Sequence, residues 1–191
     1  EKGILIKDAR SLETAHKIKT IIFDKTGTLT KGNPVVTDVS DDKTLQITAS
    51  LEQGSEHTLG EAILNYAISK KIKILKVTNF RSIAGEGIEG NLGIKKYFFG
   101  KVKEKSEEIK NLENDGKTVM VLREKNKTLG FVAVADTLKE GVFEVIKSLN
   151  RKGINTWMVT GDNQRTAKAI ARQAGIKNVM AEVMPNEKSD K

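Results

Sequence analysis

Three acidic residues, Asp24, Asp136 and Asp162, each follow a run of apolar residues in this sequence. The run before Asp24 is "TIIF", the run before Asp136 is "FVAVA", and the run before Asp162 contains "WMV". Such runs are typical of strands in a parallel sheet, whose carboxyl ends meet at one edge where ligands bind. Carboxylates gathered there suit Mg²⁺, and one of them could attack a phosphoryl group that the cation neutralises. Asp24 is therefore a candidate nucleophile that would form an aspartyl phosphate.

The residues that follow Asp24 suit an incoming anion. Gly27 permits close backbone approach, and the segment from Thr26 to Thr28 offers amides and hydroxyl groups. The same letters, "DKTG", are also typical of an ordinary turn at the end of a strand. Four residues alone leave both interpretations open.

The elements that would position these residues alternate between strand and helix at both ends of the chain. Apolar residues at helical spacing follow Asp136, and another helix is expected from an N-cap at Asn163 to a stop at Gly175. Between Val77 and Phe99, alternation with glycines predicts antiparallel strands. We expect an α/β fold, a doubly wound parallel sheet interrupted by an inserted α+β domain with an antiparallel sheet. The expected division is residues 1–34 and 130–191 for the parallel-sheet domain and 35–129 for the insertion.

Composition supports an ordinary globular protein. The 191 residues are 38% hydrophobic and 30% charged, and no apolar run approaches the ~18 residues that a membrane-spanning helix needs. The absence of cysteine excludes disulfides and thiolate metal sites. A net charge of +8 indicates either anionic partners or simply a solvated lysine-rich surface. With 5% aromatic residues and no basic strand with interleaved aromatics, nucleic acid is not an expected partner.

The seven residues "DKTGTLT", Asp24 to Thr30, are letter for letter the phosphorylation signature of the P-type ATPases, and the sequence resembles that family over essentially its whole length. The resemblance implies a haloacid dehalogenase-like phosphorylation domain, an inserted nucleotide-binding domain, ATP as substrate and Mg²⁺ as cofactor. It implies that Asp24 becomes 4-aspartylphosphate. It also implies phosphate contacts at Lys25, Thr26, Gly27 and Thr28, and Mg²⁺ ligation by Asp24 and Thr26.

Thr26 separates two kinds of enzyme within that superfamily. Its phosphatases typically carry a second Asp two positions after the nucleophile, where it acts as general acid and base. Thr26 occupies that position here. The substitution favours a persistent phosphoenzyme, as a pump requires, over a soluble phosphatase or phosphotransferase.

Two later segments extend the resemblance. "TGD", with Thr160, Gly161 and Asp162, resembles the segment whose Thr contacts the transferring phosphate, and "MPNEK" resembles the one that ends in a phosphate-binding lysine, here Lys188. The resemblance implies catalytic roles for Thr160, Asp162 and Lys188 beside Asp24. It also implies phosphate binding by Thr160, Gly161 and Lys188. Lys188 could otherwise be one of many solvated lysines. "ADTLK" resembles a segment near the phosphorylation site, in which we expect Asp136 to be structural or hinge-forming rather than catalytic.

The insertion resembles the heavy-metal branch of the family, which includes copper pumps. "SEHTLGEAI" resembles its "SEHP" segment, although Ser55 could simply be the N-cap of a helix. "GEGIEG" resembles a nucleotide-contacting turn; a dinucleotide fingerprint would have to open a helix, whereas this segment continues as a strand. The resemblance implies nucleotide binding by Glu56, His57, Gly85, Gly87 and Gly100.

The sequence departs from that pattern at two positions: Thr58 replaces the usual proline, and Lys101 replaces the usual asparagine. It lacks the "KGA" segment of calcium, sodium-potassium and proton pumps, which favours the heavy-metal branch. It also lacks "GDGxND", so a further Mg²⁺ ligand is expected beyond residue 191.

The resemblance implies a cytosolic piece of an integral membrane pump. Its partners would be ATP and the transmembrane and actuator domains of the parent protein, and the transported metal ion would bind outside this piece. One alternative from another class is a regulatory module that binds nucleotide but never phosphorylates Asp24.

Overall fold

The computed structural model describes residues 16–55, 57–101 and 106–183, which contain two β-sheets, five α-helices and one π-type turn. This combination of a parallel and an antiparallel sheet confirms the predicted α/β class. The strands are β1 Thr20–Asp24, β2 Val35–Val39, β3 Thr78–Ile83, β4 Gly87–Leu92, β5 Lys95–Gly100, β6 Thr118–Glu124, β7 Lys127–Ala135, β8 Asn155–Val159 and β9 Asn178–Met180. The helices are α1 Asp42–Glu52, α2 Thr58–Ser69, α3 Glu107–Asn114, α4 Val142–Arg151 and α5 Gln164–Ala174.

The parallel sheet has the strand order β1-β8-β9 and carries Asp24 at the carboxyl end of β1. Asp24 is the register partner of Val159, the last residue of β8. The apolar run of β1 is typical of a strand buried on both faces, but Ile22 is 44% exposed, and β1 is an edge strand of this sheet among the described strands. The core between this sheet and its helices contains Leu29, Ile146, Met158, Ala167, Ile170, Ala171, Ala174 and Ile176.

The antiparallel sheet has the order β2-β7-β6-β5-β4-β3, and helices α1 and α2 pack on it. Helix α1 was not predicted from the sequence. It begins after Asp41, whose carboxylate accepts hydrogen bonds from the backbone and the hydroxyl of Thr44 at 2.8 and 2.9 Å. The core of this sheet contains Leu45, Ile47, Ala49, Leu51, Ile63, Ala67, Ile88, Tyr97, Phe99, Leu122, Val132 and Val134.

Strand β7 corrects the expected topology. Leu129 to Asp136 was predicted as a strand of the parallel sheet, but β7 is antiparallel to β2 and β6 in the larger sheet. The prediction is wrong because β7, although antiparallel, is buried on both faces: Val132 and Val134 lie in the core of this sheet, and Ala133 packs with Ile109 of α3. Its apolar run is therefore as unbroken as that of a parallel strand. β7 continues past the predicted join at Leu129-Gly130, and we propose that the insertion ends where β7 ends, at Ala135.

The ends of two helices matter for the site. Helix α5 begins and ends as predicted: Asn163 Oδ1 accepts from the amides of Arg165 and Thr166, and Gly175 has a left-handed φ of 77°. The alternative that Ser55 is the N-cap of α2 is wrong, because the N-cap is His57. No helix in the described part of the chain is long and apolar enough to cross a membrane.

Candidate functional site

The signature forms a tight loop directly after β1. Residues Lys25–Leu29 make a single π-type turn, which the Thr30 amide closes by donating to Lys25 O at 3.0 Å. Gly27 has a φ of +73°, a value that side-chain-bearing residues rarely adopt. Within the turn, Thr26, Gly27 and Thr28 are exposed, whereas Leu29 is buried in the core. The loop therefore presents its small and hydroxyl residues to solvent just beyond Asp24.

Asp136 holds the base of this loop. Its Oδ2 lies 2.5 Å from the Thr30 hydroxyl, which donates to it, and its Oδ1 accepts from the Gly32 amide at 3.1 Å. The Lys139 ammonium donates to Gly27 O at 2.5 Å. The carboxylate of Asp136 thus fixes the exit of the signature loop, which is a structural task.

Lys25 and Asp162 form a buried ion pair beside Asp24. Lys25 Nζ lies 2.6 Å from Asp162 Oδ2, and each side chain is 11% exposed. Hydroxyls of Thr160 and Thr118 donate to the two carboxylate oxygens, at 3.1 and 3.0 Å. Burial alone would raise the pKa of Asp162, but the Lys25 charge and these hydrogen bonds outweigh it and hold that pKa below its usual value. Asp162 is therefore an ionised anchor for the Lys25 ammonium.

The loop after β8 lies at the same sheet edge as the signature. Thr160 is 3% exposed, and its amide donates to Met180 O at 3.0 Å. The ammonium of Lys101, one of the two departures from the family pattern, donates to Gly161 O at 3.2 Å. The structure thus brings Lys25, Thr160, Gly161 and Asp162 together next to Asp24. Lys188 lies outside the described residues.

Asp24 and Thr26 supply the candidate groups for binding a metal ion in the described ranges. No group of three or more His, Cys, Asp or Glu side chains within these ranges could hold a metal ion. The Asp24 carboxylate and the hydroxyl and carbonyl of Thr26 are hard oxygen donors of the kind that Mg²⁺ binds, typically together with phosphate oxygens and water. The donor chemistry therefore fits a Mg²⁺ ion that arrives with a phosphorylated substrate.

His57 stands exposed at the start of α2. Its Nδ1 accepts a hydrogen bond from the Leu59 amide at 3.2 Å, and Ser55 Oγ accepts one from the His57 amide at 3.2 Å. Because Nδ1 is the acceptor, the neutral ring carries its proton on Nε2. The imidazole is therefore held at one end and offers a face and an N–H donor to a ligand. Glu56 lies outside the described residues.

The glycines of the predicted nucleotide turn have a clear structural task. Gly87 and Gly100 are register partners on β4 and β5. A β-carbon on Gly87 would lie 2.3 Å from Phe99 O, and one on Gly100 would lie 2.2 Å from Glu86 O. Gly85, with a φ of +75°, lies in the turn before β4. These contacts explain the residues by backbone packing, and nucleotide contact at the three glycines stays a prediction.

Glu52 is a residue of this region that the sequence reasoning missed. It ends α1, is 6% exposed, and its Oε2 has no hydrogen-bond partner among the described residues. A β-carbon on Gly60, in the first turn of α2, would lie 2.3 Å from that oxygen. Burial raises the pKa of Glu52 to about 7, although a hydrogen bond with Ser55 opposes the rise. The signal in the sequence was an acidic residue within the apolar spacing of α1, directly before "QGSEH".

Replacing Glu52 by Gln should remove a pH dependence of stability. The carboxyl stays protonated in the folded state up to a pKa of about 7, against 4.5 for an ordinary Glu. The free energy of unfolding of the unmodified protein should therefore fall by about 3 kcal/mol as the pH rises through this window. Urea unfolding of Glu52→Gln at pH 5 and pH 8 should show no such fall.

The matched control is Glu61→Gln, which changes an exposed glutamate on α2 and should keep the pH dependence of the unmodified protein. Equal slopes with pH for the unmodified protein and Glu52→Gln would contradict the raised pKa.

Comparisons with known proteins agree with this geometry. Residues 18–190 match the haloacid dehalogenase-like hydrolase family. The whole chain is 42% identical to the copper-exporting P-type ATPase of Staphylococcus saprophyticus, and 99% of it is 43% identical to that of Staphylococcus aureus strain RF122. The chain spans about a quarter, 25%, of the length of these relatives.

The chain also resembles solved structures of P-type ATPases. Over 99% of the chain, the fold matches 71% of a catalytic domain of the CPx-ATPase CopB-B, with a TM-score of 0.78 and 27% identity. It also matches 33% of a zinc-transporting PIB-type ATPase in the E2.Pi state, with a TM-score of 0.65 and 32% identity. An aspartate at the end of a parallel strand, a hydroxyl-rich loop beyond it and these matches lead to one conclusion: the chain belongs to the haloacid dehalogenase-like hydrolase family.

Proposed function

We propose that these residues are the nucleotide-binding and phosphorylation part of a heavy-metal-transporting P-type ATPase, and that copper is the transported ion. The observation that carries the proposal is the position of Asp24, at the carboxyl end of β1 inside the full seven-residue signature. Copper is favoured because the two relatives of 42–43% identity are copper-exporting P-type ATPases. The transmembrane and actuator domains of the parent protein would be the partners of this part.

The reaction is a transfer of the γ-phosphoryl group of ATP. An oxygen of the Asp24 carboxylate attacks the γ-phosphorus, and an oxygen–phosphorus bond forms. The bond from the γ-phosphorus to the bridging oxygen breaks, and ADP leaves with that electron pair. Thr26, Gly27 and Thr28 are exposed just beyond Asp24 and would contact the phosphoryl group. The family resemblance implies further phosphate contacts by Thr160, Gly161 and Lys188.

A Mg²⁺ ion held by Asp24 and Thr26 would offset the negative charge between the carboxylate and the phosphate. Lys25 contributes differently from a free phosphate-binding lysine, because its ammonium is paired with Asp162 at 2.6 Å. It supplies positive charge beside Asp24 from a fixed position. Thr26 offers no carboxylate to activate water, so the aspartyl phosphate persists long enough to drive transport.

Labelling with ATP tests this function. The complete protein that carries these residues is incubated with Mg²⁺ and ATP labelled at the γ- or the α-phosphate. We expect an acid-stable, hydroxylamine-sensitive label from γ-labelled ATP alone. Label from α-labelled ATP, or label that resists hydroxylamine, would contradict an aspartyl phosphate. ATP binding without any label would favour the regulatory-module alternative.

His57→Asn tests the adenine site without removing the helix cap. Asn is a good N-cap, so it replaces the acceptor that His57 Nδ1 provides for the Leu59 amide, but it lacks the ring. Loss of stacking of ~1 to 3 kcal/mol should weaken binding of a non-hydrolysable ATP analogue roughly 5- to 150-fold. Calorimetric titration measures the affinity, and thermal unfolding should be nearly unchanged. Unchanged affinity would show that His57 is not part of the nucleotide site.

A further inference from the structure

One carboxylate joins the signature loop to the inserted domain. Asp162 Oδ2 contacts Lys25 Nζ, directly after Asp24, and Asp162 Oδ1 accepts a hydrogen bond from the Thr118 hydroxyl at 3.0 Å. Thr118 is the first residue of β6, a strand of the antiparallel sheet. Thr118 of the insertion thus contacts the Asp162 side chain, which also binds Lys25, the residue next to Asp24.

The next residue of the loop makes a second link. Asn163 Nδ2 donates to Glu113 Oε1 at 2.8 Å, while Asn163 Oδ1 caps helix α5. Glu113, near the end of α3, is fully buried, and the Arg165 guanidinium lies 3.7 Å from its Oε2. Side chains buried to this extent are placed by their hydrogen bonds. Glu113 and Asn163 therefore fix each other across the two domains.

The connection between α3 and β6 packs its backbone against side chains of α5. The Thr166 hydroxyl donates to Lys117 O at 2.7 Å. Gly116 has a φ of +86°, and a β-carbon there would lie 2.9 Å from Ile170 Cδ1. The segment from Glu113 to Thr118 is therefore packed closely on the first turns of α5, the helix that the Thr160–Asn163 loop begins.

We propose that Glu113 and Thr118 are positioning residues for phosphoryl transfer. By holding Asn163 and Asp162, they set the Thr160–Asn163 loop, and Asp162 in turn sets the Lys25 ammonium beside Asp24. The inference rests on the proposed transfer of phosphate to Asp24. A carboxylate that accepts from Lys25, Thr160 and Thr118 is held in one orientation, and loss of one donor lets it rotate. The insertion would then influence the phosphorylation loop through a direct contact.

Thr118→Val and Thr118→Ser test the proposal. Valine keeps the shape of the β-branched side chain and removes the hydroxyl, whereas serine keeps the hydroxyl. In the complete protein, Thr118→Val should slow labelling of Asp24 by γ-labelled ATP roughly tenfold, because a small misplacement of a positioned group is costly. Affinity for a non-hydrolysable ATP analogue should change less than about twofold, since the interaction acts on the transfer step. Thr118→Ser should restore the rate.

Thr128→Val is the matched control, because it replaces an exposed threonine of β7 and should leave labelling unchanged. The second measurement is hydrogen exchange at the Asp162 amide, which donates to Thr160 Oγ1 at 3.1 Å inside the loop. This exchange should be faster in Thr118→Val and restored in Thr118→Ser, and it requires no phosphorylation.

The outcomes separate the two proposals. If the unmodified protein is labelled at Asp24 and Thr118→Val is labelled equally fast, the positioning role is wrong and the proposed function stands. If the unmodified protein is not labelled at Asp24, the proposed function fails, and the hydrogen exchange alone decides whether Thr118 orders the loop. Equal exchange in the unmodified protein and Thr118→Val would overturn that ordering.

Discussion

Asp24→Asn should lower the acid-stable label from γ-labelled ATP by more than about 10³-fold, because a neutral carboxamide oxygen is a poor nucleophile. The side chain has nearly the same size, so β1 and its pairing with β8 should persist. Removal of the negative charge also removes its repulsion of the γ-phosphate. Affinity for ATP should therefore stay equal or rise. Label is measured after acid precipitation, and affinity by calorimetric titration.

The matched control is Asp42→Asn, which changes an exposed carboxylate in the first turn of α1 and should leave the label intact. Label that survives in Asp24→Asn would place the phosphoryl acceptor elsewhere. A loss of label together with a loss of ATP affinity would indicate a damaged fold and would remove the support for a nucleophile at Asp24.

Lys25→Met should lower the free energy of unfolding at neutral pH by about 3 to 5 kcal/mol, the usual effect of leaving one partner of a buried ion pair without the other. Both side chains are only 11% exposed, so water cannot replace the lost ammonium. The double variant Lys25→Met/Asp162→Asn should recover much of that loss, since the remaining amide carries no charge. Urea unfolding of the single and double variants gives the coupling energy directly.

Acidification should also remove the stabilisation that the Lys25–Asp162 ion pair provides. The pKa of Asp162 is held below the ordinary value of 3.8, so the ion pair stabilises the fold above that pH and is lost as the pH falls through the lowered pKa. The free energy of unfolding of Lys25→Met should therefore not show this loss as the pH falls. The control is Lys96→Met, which breaks a 2.8 Å contact with Glu89 in which the lysine is 62% exposed, and which should cost less than about 1 kcal/mol. Equal losses in the two lysine variants would contradict the buried-pair argument.

Local signals in the sequence carried much of the fold. Asn163 and Gly175 mark the ends of α5 because an N-cap side chain and a left-handed glycine act on their own neighbours. Local signals do not determine which sheet a strand joins. The apolar run of β7 is the same whether its neighbours are parallel or antiparallel, so only the tertiary structure could place it between β2 and β6.

In the candidate site, too, some residues could be predicted from local sequence and others only from the tertiary structure. Asp24 and Asp162 could be found because they follow strands and lie in recognisable segments. The partners of Asp162 could not be found in this way. Thr118 is 44 residues away and lies in the other sheet, and no spacing rule connects the two. Glu52 was missed because a glutamate on a helix is ordinarily exposed, and only packing against Gly60 shows that it is not.

The attachment of the insertion has a consequence for protein engineering and for the origin of the fold. β2 enters the antiparallel sheet at Val35 and β7 leaves it at Ala135, and these residues are antiparallel register partners. Opposite residues in such a pair have Cα atoms about 4.5 to 5.5 Å apart. The two ends of the proposed insertion therefore meet, so a short linker could replace it without stretching the remainder. A module with adjoining ends can be transplanted between hosts, circularly permuted, or gained in evolution in a single event.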